Sequence, residues 1–431
     1  MRLNLVVTLC LLPLAAAAQS WLDDGDRPIW QLSVAGGYEA TVSRYYLAED
    51  DTTETLGEWL AEATCEGRSP DRARHRWLLR GQASAGTELF RQRLEADYSW
   101  RDRDRHTRLR LEGRLWGRQY RDDTATATAS DNWEGRLRTR VYPLVGDALA
   151  LELRAYGSFI DYRTPSTLEQ DYRELAGGAF LRSQGLDGPL WYGGVRVEGR
   201  DYPDTSRIDR DAISAEGEID WQGLDGGELR VYHQTERRLI ADETARPSAW
   251  THWTDLKTAV GAGAGFVILD LQSEAWRYDE ETSVYYDSWL GRGLLGYRWG
   301  DILTATWHAG LTAELFDAGD NPETYRQYGL QVGLESYAGA VSGSVTLEFG
   351  RRNYTDPVVT YEVDDTAAQT ASETVVLYTD YNYWKIWVMG SWALGPHLSA
   401  DVLANYVPES HTEQTDNAAL GYVSLRLVWR R

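Results

Sequence analysis

Strict alternation of charged and apolar residues is the feature that most limits what this chain can fold into. In residues 106–120, Leu109, Leu111 and Leu115 occupy odd positions, whereas Glu112 and four arginines occupy even positions. Successive side chains of a β-strand point to opposite faces of a sheet, so this segment is predicted to be a strand with one apolar and one charged face. A helix would not sort the two kinds of residue in this way.

The same alternation continues from about Arg74 to the end of the chain, and the links between the segments alternate in length. Short links with glycine, such as Val145-Gly146-Asp147, alternate with longer polar links, such as residues 122–131 and 408–417. Short turns on one side and long loops on the other are typical of transmembrane barrels. Counting segments back from the C-terminus predicts eighteen strands, with sixteen and twenty as the alternatives.

A sheet can cross a lipid bilayer only if it closes on itself, because every backbone N–H and C=O must be paired within the protein. The predicted fold class is therefore all-β: a closed antiparallel transmembrane β-barrel over residues 74–431, with short periplasmic turns and longer extracellular loops. An arginine that faces lipid near the midplane costs about 2–4 kcal/mol. The charged faces are therefore predicted to point inward, toward water.

The early strands then supply a pore lining that is rich in arginine, and the later strands supply one that is more acidic. The predicted pore-lining residues are Arg108, Arg110, Glu112, Arg114, Arg118, Glu134, Arg136, Arg138, Arg140, Arg154, Arg196 and Arg200. Guanidinium groups suit carboxylates and phosphates, so an anionic solute is one interpretation. The other interpretation is that these ions pair across strands and only hold the interior together.

The N-terminal part of the chain departs from this rhythm. Residues 1–18 are predicted to be a signal peptide, because a basic start and an apolar run lead into Ala15 to Ala18, a small-residue cleavage site. Residues 19–73 are predicted to be a periplasmic segment or a plug inside the barrel. Within them, Ile29–Tyr46 is compatible with a further strand, and residues 52–67 are predicted to be a short amphipathic helix that ends at Gly67.

Composition limits the partners and the chemistry. The chain has 19 Trp and 26 Tyr, residues that concentrate at membrane–water interfaces, and its net charge of -22 argues against a nucleic-acid partner. Removal of the signal peptide leaves Cys65 as the single cysteine, so no cofactor or metal site is predicted. The aromatic stretch from Tyr378 to Trp392 fits either an interfacial girdle or a surface that stacks sugar rings.

The seven histidines of the chain form no catalytic motif in the sequence. No nucleophile elbow, zinc-protease motif or phosphate-binding loop is present in the sequence. His308 is predicted to face inward, in a structural hydrogen-bond network with Thr304, Thr306, Thr312 and Glu314. The chain is therefore predicted not to be an enzyme, and a barrel hydrolase is the weakest of three functional classes.

The closing segment from Gly421 to Trp429 alternates outward apolar residues and ends in an aromatic residue, although Arg430 and Arg431 follow it. In this respect the chain from Arg74 to Trp429 resembles the outer-membrane β-barrel proteins of Gram-negative bacteria. The resemblance implies location in the outer membrane, contact with its lipid and lipopolysaccharide, and insertion by the barrel-assembly machinery. An eighteen-stranded barrel with an arginine-rich lumen is also similar to alginate-type exopolysaccharide export porins, which implies a periplasmic export partner.

Two functional hypotheses follow. The first is a channel or export pore for a hydrophilic solute, anionic or saccharide in character, and the polar link 355–372 is long enough to constrict it. The second is a closed barrel whose loops act as a surface receptor, an adhesin or a component of a secretion or assembly complex. The two differ in whether a continuous path of water crosses the lumen.

Overall fold

The protein was analysed as a computed structural model. The structure describes residues 29–46, 51–69, 75–86, 89–101, 107–120, 131–146, 148–165, 170–184, 188–223, 227–282, 284–301, 304–319, 321–337, 339–355, 358–363, 371–376, 379–412 and 417–430. The predicted signal peptide lies outside these residues. Within them, no helix is long and apolar enough to cross a membrane.

Strands make up almost all of the described chain. They are β1 (Ile29–Tyr46), β2 (Asp51–Arg68), β3 (His75–Ala85), β4 (Leu89–Arg101), β5 (Arg108–Tyr120), β6 (Asn132–Val145), β7 (Leu149–Tyr162), β8 (Tyr172–Ser183), β9 (Leu190–Asp201), β10 (Arg210–Gln222), β11 (Glu228–Ile240), β12 (Ala249–Ala262), β13 (Gly265–Tyr278), β14 (Ser288–Asp301), β15 (Ala305–Asp317), β16 (Tyr325–Ser336), β17 (Val341–Tyr354), β18 (Val358–Val363), β19 (Ala371–Val376), β20 (Tyr381–Ala393), β21 (Leu398–His411) and β22 (Ala418–Arg430). A single turn of 3₁₀ helix, Ser206–Ile208, lies between β9 and β10.

Twenty of these strands form one closed antiparallel sheet. Each strand pairs with its neighbours in the chain, and β1 closes the ring by pairing with β22 over a register that runs from Ser33 opposite Arg430 to Tyr45 opposite Ala418. The closed barrel is thus confirmed, but the primary count of eighteen strands was too low, and the alternative of twenty is correct. The remaining two strands, β18 and β19, form a separate hairpin in the link between β17 and β20. Whether that link constricts the lumen stays a prediction.

The missing strands lie in the N-terminal segment. The strand over Ile29–Tyr46 is present, but residues 52–67 belong to β2 and not to a helix, so this part of the chain is barrel wall and not a plug. Glu54, Glu58, Glu62 and Glu66 are spaced by four residues, which is close to a helical turn and is also a multiple of the strand period of two. In the structure these residues form a strand, because β2 pairs with β1 on one side and with β3 on the other.

The lengths of the links between strands explain why the first two hairpins depart from the alternation of short and long links seen in the rest of the chain. We define the turn side of the barrel as the end where β1 begins and β22 ends, and the loop side as the opposite end. From β5 onward the short links lie on the turn side, as at Gly263, whose φ of 60° suits a tight turn between β12 and β13. Between β1 and β4 the order is reversed, because residues 47–50 and 86–88 make short links on the loop side.

Long-range ion pairs identify the inner face of the sheet. Arg154 Nη1 on β7 lies 2.7 Å from Glu216 Oε1 on β10, although three strand spacings of about 4.8 Å separate their backbones. Arg298 on β14 reaches Glu228 on β11 at 3.4 Å in the same way. Side chains converge like this only on the concave side of a curved sheet. The charged faces therefore point into the barrel.

The outer face carries an apolar belt between two aromatic girdles. On β14, Trp289 near the loop side and Trp299 near the turn side both point outward and lie ten residues apart. For strands tilted by about 40°, ten residues correspond to a height of about 25 Å, the thickness of the apolar band of such barrels. Leucines between the girdles are strongly exposed, for example Leu175 at 71% and Leu311 at 60%. The turn-side girdle comprises Trp30, Trp77, Trp100, Trp191, Trp221, Trp299, Trp307, Trp392 and Trp429.

Candidate functional site

All twelve residues predicted to line the lumen lie on the inner face of neighbouring strands. β5 carries Arg108, Arg110, Glu112, Arg114 and Arg118; β6 carries Glu134, Arg136, Arg138 and Arg140; β7 carries Arg154; and β9 carries Arg196 and Arg200. The strand registers bring them together, since Arg114 faces Arg136 and Arg110 faces Arg140. They belong to one continuous surface, formed by the inner positions of β4 to β9, which we call the arginine wall. Their role in lining a pore stays a prediction.

The arginine wall has twice as many cations as anions. The inner positions of β4 to β9 hold fourteen arginines and seven carboxylates. The arginines are Arg91, Arg93, Arg101, Arg108, Arg110, Arg114, Arg118, Arg136, Arg138, Arg140, Arg154, Arg182, Arg196 and Arg200, and the carboxylates are Glu95, Asp97, Glu112, Glu134, Glu152, Glu174 and Glu198. This local excess of positive charge stands within a chain whose net charge is -22.

Arginines face arginines across adjacent strands of this wall. Arg140 stands between Arg110 on β5 and Arg154 on β7, so three guanidinium groups share one row. Like charges directly opposite each other destabilise a sheet. Two of the three are also paired within their own strands, Arg110 with Glu112 and Arg154 with Glu152, both at 2.8 Å, which leaves Arg140 without a described carboxylate partner in this row.

Carboxylates lie beneath the arginines. The Glu152 side chain is 1% exposed and accepts a hydrogen bond from Arg154 Nε at 2.8 Å. The Glu174 side chain is 4% exposed and is paired with both Arg196 and Arg200. The arginines themselves remain 22–37% exposed in these pairs. The layer that meets the lumen is therefore guanidinium, and the compensating anions are behind it.

Several arginines of the wall have no carboxylate partner among the described residues, and Arg138 and Arg140 are two of them. Arg138 lies over the ring of Tyr156, with 5.4 Å between its guanidinium carbon and the ring centroid. Arg140 makes no ion pair with a described carboxylate. Both line a recess of about 400 Å³ in the wall, together with Arg196 and Arg200. Glu174, Glu198 and Glu216 line the same recess, so a negatively charged group there would meet guanidinium groups from β6 and β9 that stand beside carboxylates.

The opposite wall has the reverse balance. The inner positions of β10 to β17 hold eleven carboxylates and seven basic residues. The carboxylates are Glu216, Glu218, Asp220, Glu228, Glu236, Asp255, Asp270, Glu274, Glu314, Glu335 and Glu348, and the basic residues are Arg210, Arg230, Arg238, Lys257, Arg292, Arg298 and Arg352. A charge gradient therefore runs across the lumen from the arginine wall to this acidic wall.

The aromatic stretch splits between the two faces. Tyr381 and Tyr383 point inward and are 7% and 1% exposed, so they offer no free ring face. Trp384 and Trp392 point outward, into the girdles. Trp387 is the residue of this stretch that is both inward and exposed, at 43%. Tyr378 lies outside the described residues.

His308 lies where it was predicted, on the inner face of β15. Its register partner is Gly333 on β16, and the imidazole covers the position that a side chain at Gly333 would fill. Thr312 donates a hydrogen bond to Glu348 at 3.2 Å, and Glu314 accepts one from Tyr325 at 2.6 Å. These contacts form a polar network along β15 to β17, in keeping with a structural role.

A row of tyrosines at the loop side was missed in the sequence. At or just after the end of five strands, an inward tyrosine donates its backbone N–H to an aspartate just before the next barrel strand, at 2.7–2.9 Å. The pairs are Tyr120 with Asp131, Tyr162 with Asp171, Tyr202 with Asp209, Tyr278 with Asp287, and Tyr354 with Asp380. We call them the tyrosine–aspartate latches. Their recurrence on either side of five loops was the available signal.

An exposed ion pair joins two of the loops. Arg207 Nε lies 2.7 Å from Asp242 Oδ2, linking the β9–β10 loop to the β11–β12 loop. Hydrogen bonds from the Thr244 hydroxyl and from Arg207 lower the pKa of Asp242 to about 2. The loops are thus cross-linked by charge at the mouth of the barrel.

Comparison with known proteins identifies the fold. The sequence matches no family model and no curated protein. The structure is similar to that of the FrpB iron transporter of Neisseria meningitidis, with a TM-score of 0.54 and 10% identity over 96% of this chain and 83% of that one. It is also similar to the ferric enterobactin receptor PfeA of Pseudomonas aeruginosa, with a TM-score of 0.52 and 9% identity over 92% and 80% of the two chains.

The structure also matches that of the outer membrane protein OpdK of Pseudomonas aeruginosa with a lower TM-score, 0.44, and 12% identity over 94% of this chain and 99% of that one. The similar structures with TM-scores above 0.5 are outer-membrane β-barrels of Gram-negative bacteria. The chain therefore has the fold of this broad class, which confirms the fold and the membrane inferred from the sequence.

Proposed function

We propose that this protein is an outer-membrane channel that passes hydrophilic solutes and favours anions. The observation that supports this proposal is the arginine wall, in which guanidinium groups meet the lumen while their carboxylate partners are buried behind them. A purely structural set of salt bridges needs no excess of one sign. Fourteen arginines against seven carboxylates on β4 to β9 leave such an excess.

The dimensions of the barrel support a path for water. Twenty strands spaced by about 4.8 Å and tilted by about 40° give a backbone radius of about 20 Å for a circular cross-section. Inward side chains of about 7 Å then leave a space about 25 Å across, unless a segment outside the described residues fills it. In such a lumen the walls act on solutes through their field, and selectivity is electrostatic.

The solute class that fits best is an anion with carboxylate or phosphate groups. Arginine binds carboxylates and phosphates through two parallel hydrogen bonds, and Arg138 and Arg140 are free of carboxylate partners within the described chain. Among the described residues of the aromatic stretch, Trp387 alone offers an exposed ring to the lumen, so charge supports the proposal more than ring stacking does. An acidic saccharide, including an exported acidic polysaccharide, is the finer form of this proposal.

Liposome swelling with solutes of equal size tests it. Purified full-length protein in liposomes should admit a hexuronate faster than the neutral hexose of the same ring size. Equal rates for the two would remove the anion preference and leave a general pore. Exclusion of both, with no conductance in planar bilayers, would instead favour the alternative of a closed barrel that acts as a receptor, an adhesin or a component of a secretion complex.

Further parts of the proposal concern partners and catalysis. We propose that β22 is the segment read by the barrel-assembly machinery, that lipopolysaccharide surrounds the loop-side girdle, and that export would require a periplasmic partner. The lack of an enzymatic role is supported indirectly, because the similar proteins named above are described as a transporter, a receptor and an outer membrane protein. No nucleic-acid partner is proposed.

A further inference from the structure

Polar side chains interrupt the apolar belt on the outer face of β11 to β13. His233 and Thr235 on β11, His252 and Thr254 on β12, and Ser273 on β13 all occupy outward positions. We call these five residues the histidine patch. Leu229 and Leu239 on β11, and Val260 on β12, share the same outward parity and are the kind of residue that lipid requires. The histidine patch is therefore a polar island within a surface that otherwise suits acyl chains.

The patch is ordered by contacts within the barrel. His233 Nδ1 and Thr254 Oγ1 lie 2.9 Å apart, and so do His252 Nδ1 and Thr235 Oγ1. The two imidazoles are stacked, with ring centroids 6.3 Å apart and planes at 20°, and Trp250 extends the stack beyond His252. These contacts fix the rings so that the second nitrogen of each, Nε2, is left over. Within the described residues, neither Nε2 atom has a hydrogen-bond partner.

The depth of the patch sets what can cover it. Trp250 belongs to the loop-side girdle, and its neighbour Arg237 is neutralised by two hydrogen bonds to Asp279, at 2.8 and 2.5 Å. His252 and Thr254 lie two and four residues further into the belt. With a rise of about 2.5 Å in height per residue of a tilted strand, they lie about 5 and 10 Å below the girdle. Lipid headgroups stay at the girdle level, so acyl chains alone would leave the imidazoles unpaired, at a cost.

Small outward residues flank the histidine patch, so the barrel surface protrudes less at these positions. Gly217 on β10 is the register partner of His233, and Ala275 on β13 is the partner of His252. At Gly291 on β14, beside Ser273, the Trp289 ring covers the surface instead, and its Nε1 donates a hydrogen bond to Ser273 Oγ at 2.8 Å. Small residues allow another membrane-embedded polypeptide to approach closely, as they do at packed interfaces between spanning segments. The shape and the polarity of the region thus point to protein as the covering material.

We propose that the histidine patch is the interface through which two copies of this chain associate in the membrane. A two-fold axis along the membrane normal places the same patch of the second copy at the same depth, so hydroxyl and imidazole groups of each copy face those of the other. This inference does not depend on which solute the lumen passes.

Association of the full-length protein is the test, in native outer membranes and in detergent. In the variant His233→Leu/His252→Leu, the outer face becomes uniformly apolar, so the barrel should fold while dimer affinity falls by about tenfold or more. Tyr38→Leu/Trp59→Leu is the matched control, because it removes an outward cross-strand ring pair from β1 and β2, ten strands away. Retention of the barrel is checked by the shift of folded protein on unheated gels.

Disulfide trapping provides a second readout. In a Cys65→Ser background, Thr254→Cys should give a disulfide-linked dimer on oxidation. The wild-type protein, whose Cys65 lies on the outer face of β2, should form no disulfide cross-link. Three results would overturn the proposal: a wild-type protein that is monomeric in membranes and detergent, a dimer unaffected by the two leucines, or a monomer with lipopolysaccharide bound at the patch.

Discussion

Removal of Arg138 and Arg140 is the change that most sharply separates a selective wall from a structural one. Neither residue has a carboxylate partner among the described residues, so Arg138→Gln/Arg140→Gln removes two charges without leaving a described carboxylate unpaired. Arg140 stands between two other arginines, and its loss relieves repulsion in that row. The variant should therefore fold at least as well as the wild type, and its selectivity should change.

The size of the effect follows from Coulomb's law with screening. At about 10 Å in water, one charge acts on a passing ion with about 0.4 kcal/mol, which falls to about 0.3 kcal/mol at 0.01 M salt and about 0.15 kcal/mol at 0.1 M. Each charge attracts an anion and repels a cation by the same amount. Loss of two charges therefore changes the difference in free energy between an anion and a cation in the lumen by about 1.2 kcal/mol at 0.01 M salt and about 0.6 kcal/mol at 0.1 M salt. The anion-to-cation permeability ratio should fall about eightfold at 0.01 M and about threefold at 0.1 M.

Reversal potentials in planar bilayers under a salt gradient measure this ratio. The matched control is Arg277→Gln/Arg326→Gln, which removes two exposed arginines from the outer face near the loop side. At about 1 M salt, where the Debye length is about 3 Å, the wild type and both variants should coincide. A lumen variant that keeps the wild-type ratio at low salt, or a control that shifts as far, would refute the role given to the arginine wall.

Three further outcomes are expected. Glu174→Gln removes the buried anion that pairs with Arg200 and one of the two carboxylates that pair with Arg196. It should lower the free energy of unfolding in lipid vesicles by about 2 kcal/mol, less than the loss of a fully buried pair would. Asp171→Ala removes the acceptor of a 2.7 Å latch, and hydrogen exchange at that loop should become about tenfold faster. Hydrogen bonds from Thr244 and Arg207 depress the pKa of Asp242 to about 2. The contact between the β9–β10 and β11–β12 loops should therefore persist from pH 7 to about 4 and be lost toward pH 2, as measured by distances between spin labels on the two loops. Loss of the contact already at pH 5 would contradict this.

The strands from β5 onward could be predicted because each of their faces meets a different solvent. Water on one side and lipid on the other impose a period of two on the residues, as Leu109, Arg110 and Leu111 illustrate. The period survives without knowledge of the neighbouring strands. Each strand therefore signals itself through its own residues.

The first two hairpins could not be predicted in the same way. In β2 the glutamates recur every four residues, a spacing that a helix and a strand both satisfy. The reversed link lengths between β1 and β4 removed the second cue. Only closure with β22 determines that these residues complete the ring, and closure is a property of the whole sheet.

The ion pairs between inward side chains of distant strands also could not be predicted from the sequence. Arg154 and Glu216 are 62 residues apart, and their contact depends on the curvature that brings β7 and β10 together. The tyrosines show the same limit, because composition assigned tyrosine in general to the membrane–water interface, whereas Tyr120 and Tyr162 point inward. Parity could have revealed their direction, since each shares the even numbering of the charged residues on its strand.

Labelling of single cysteines along β6 tests the central claim most directly. In a Cys65→Ser background, cysteines at Arg136, Leu137, Arg138 and Thr139 are each exposed to a water-soluble thiol reagent in intact membranes. A wall that faces a water-filled lumen predicts labelling at 136 and 138 and protection at 137 and 139, with quenching by lipid-borne quenchers in the reverse order. Equal labelling at all four positions, or labelling confined to 137 and 139, would contradict the inward arginine wall.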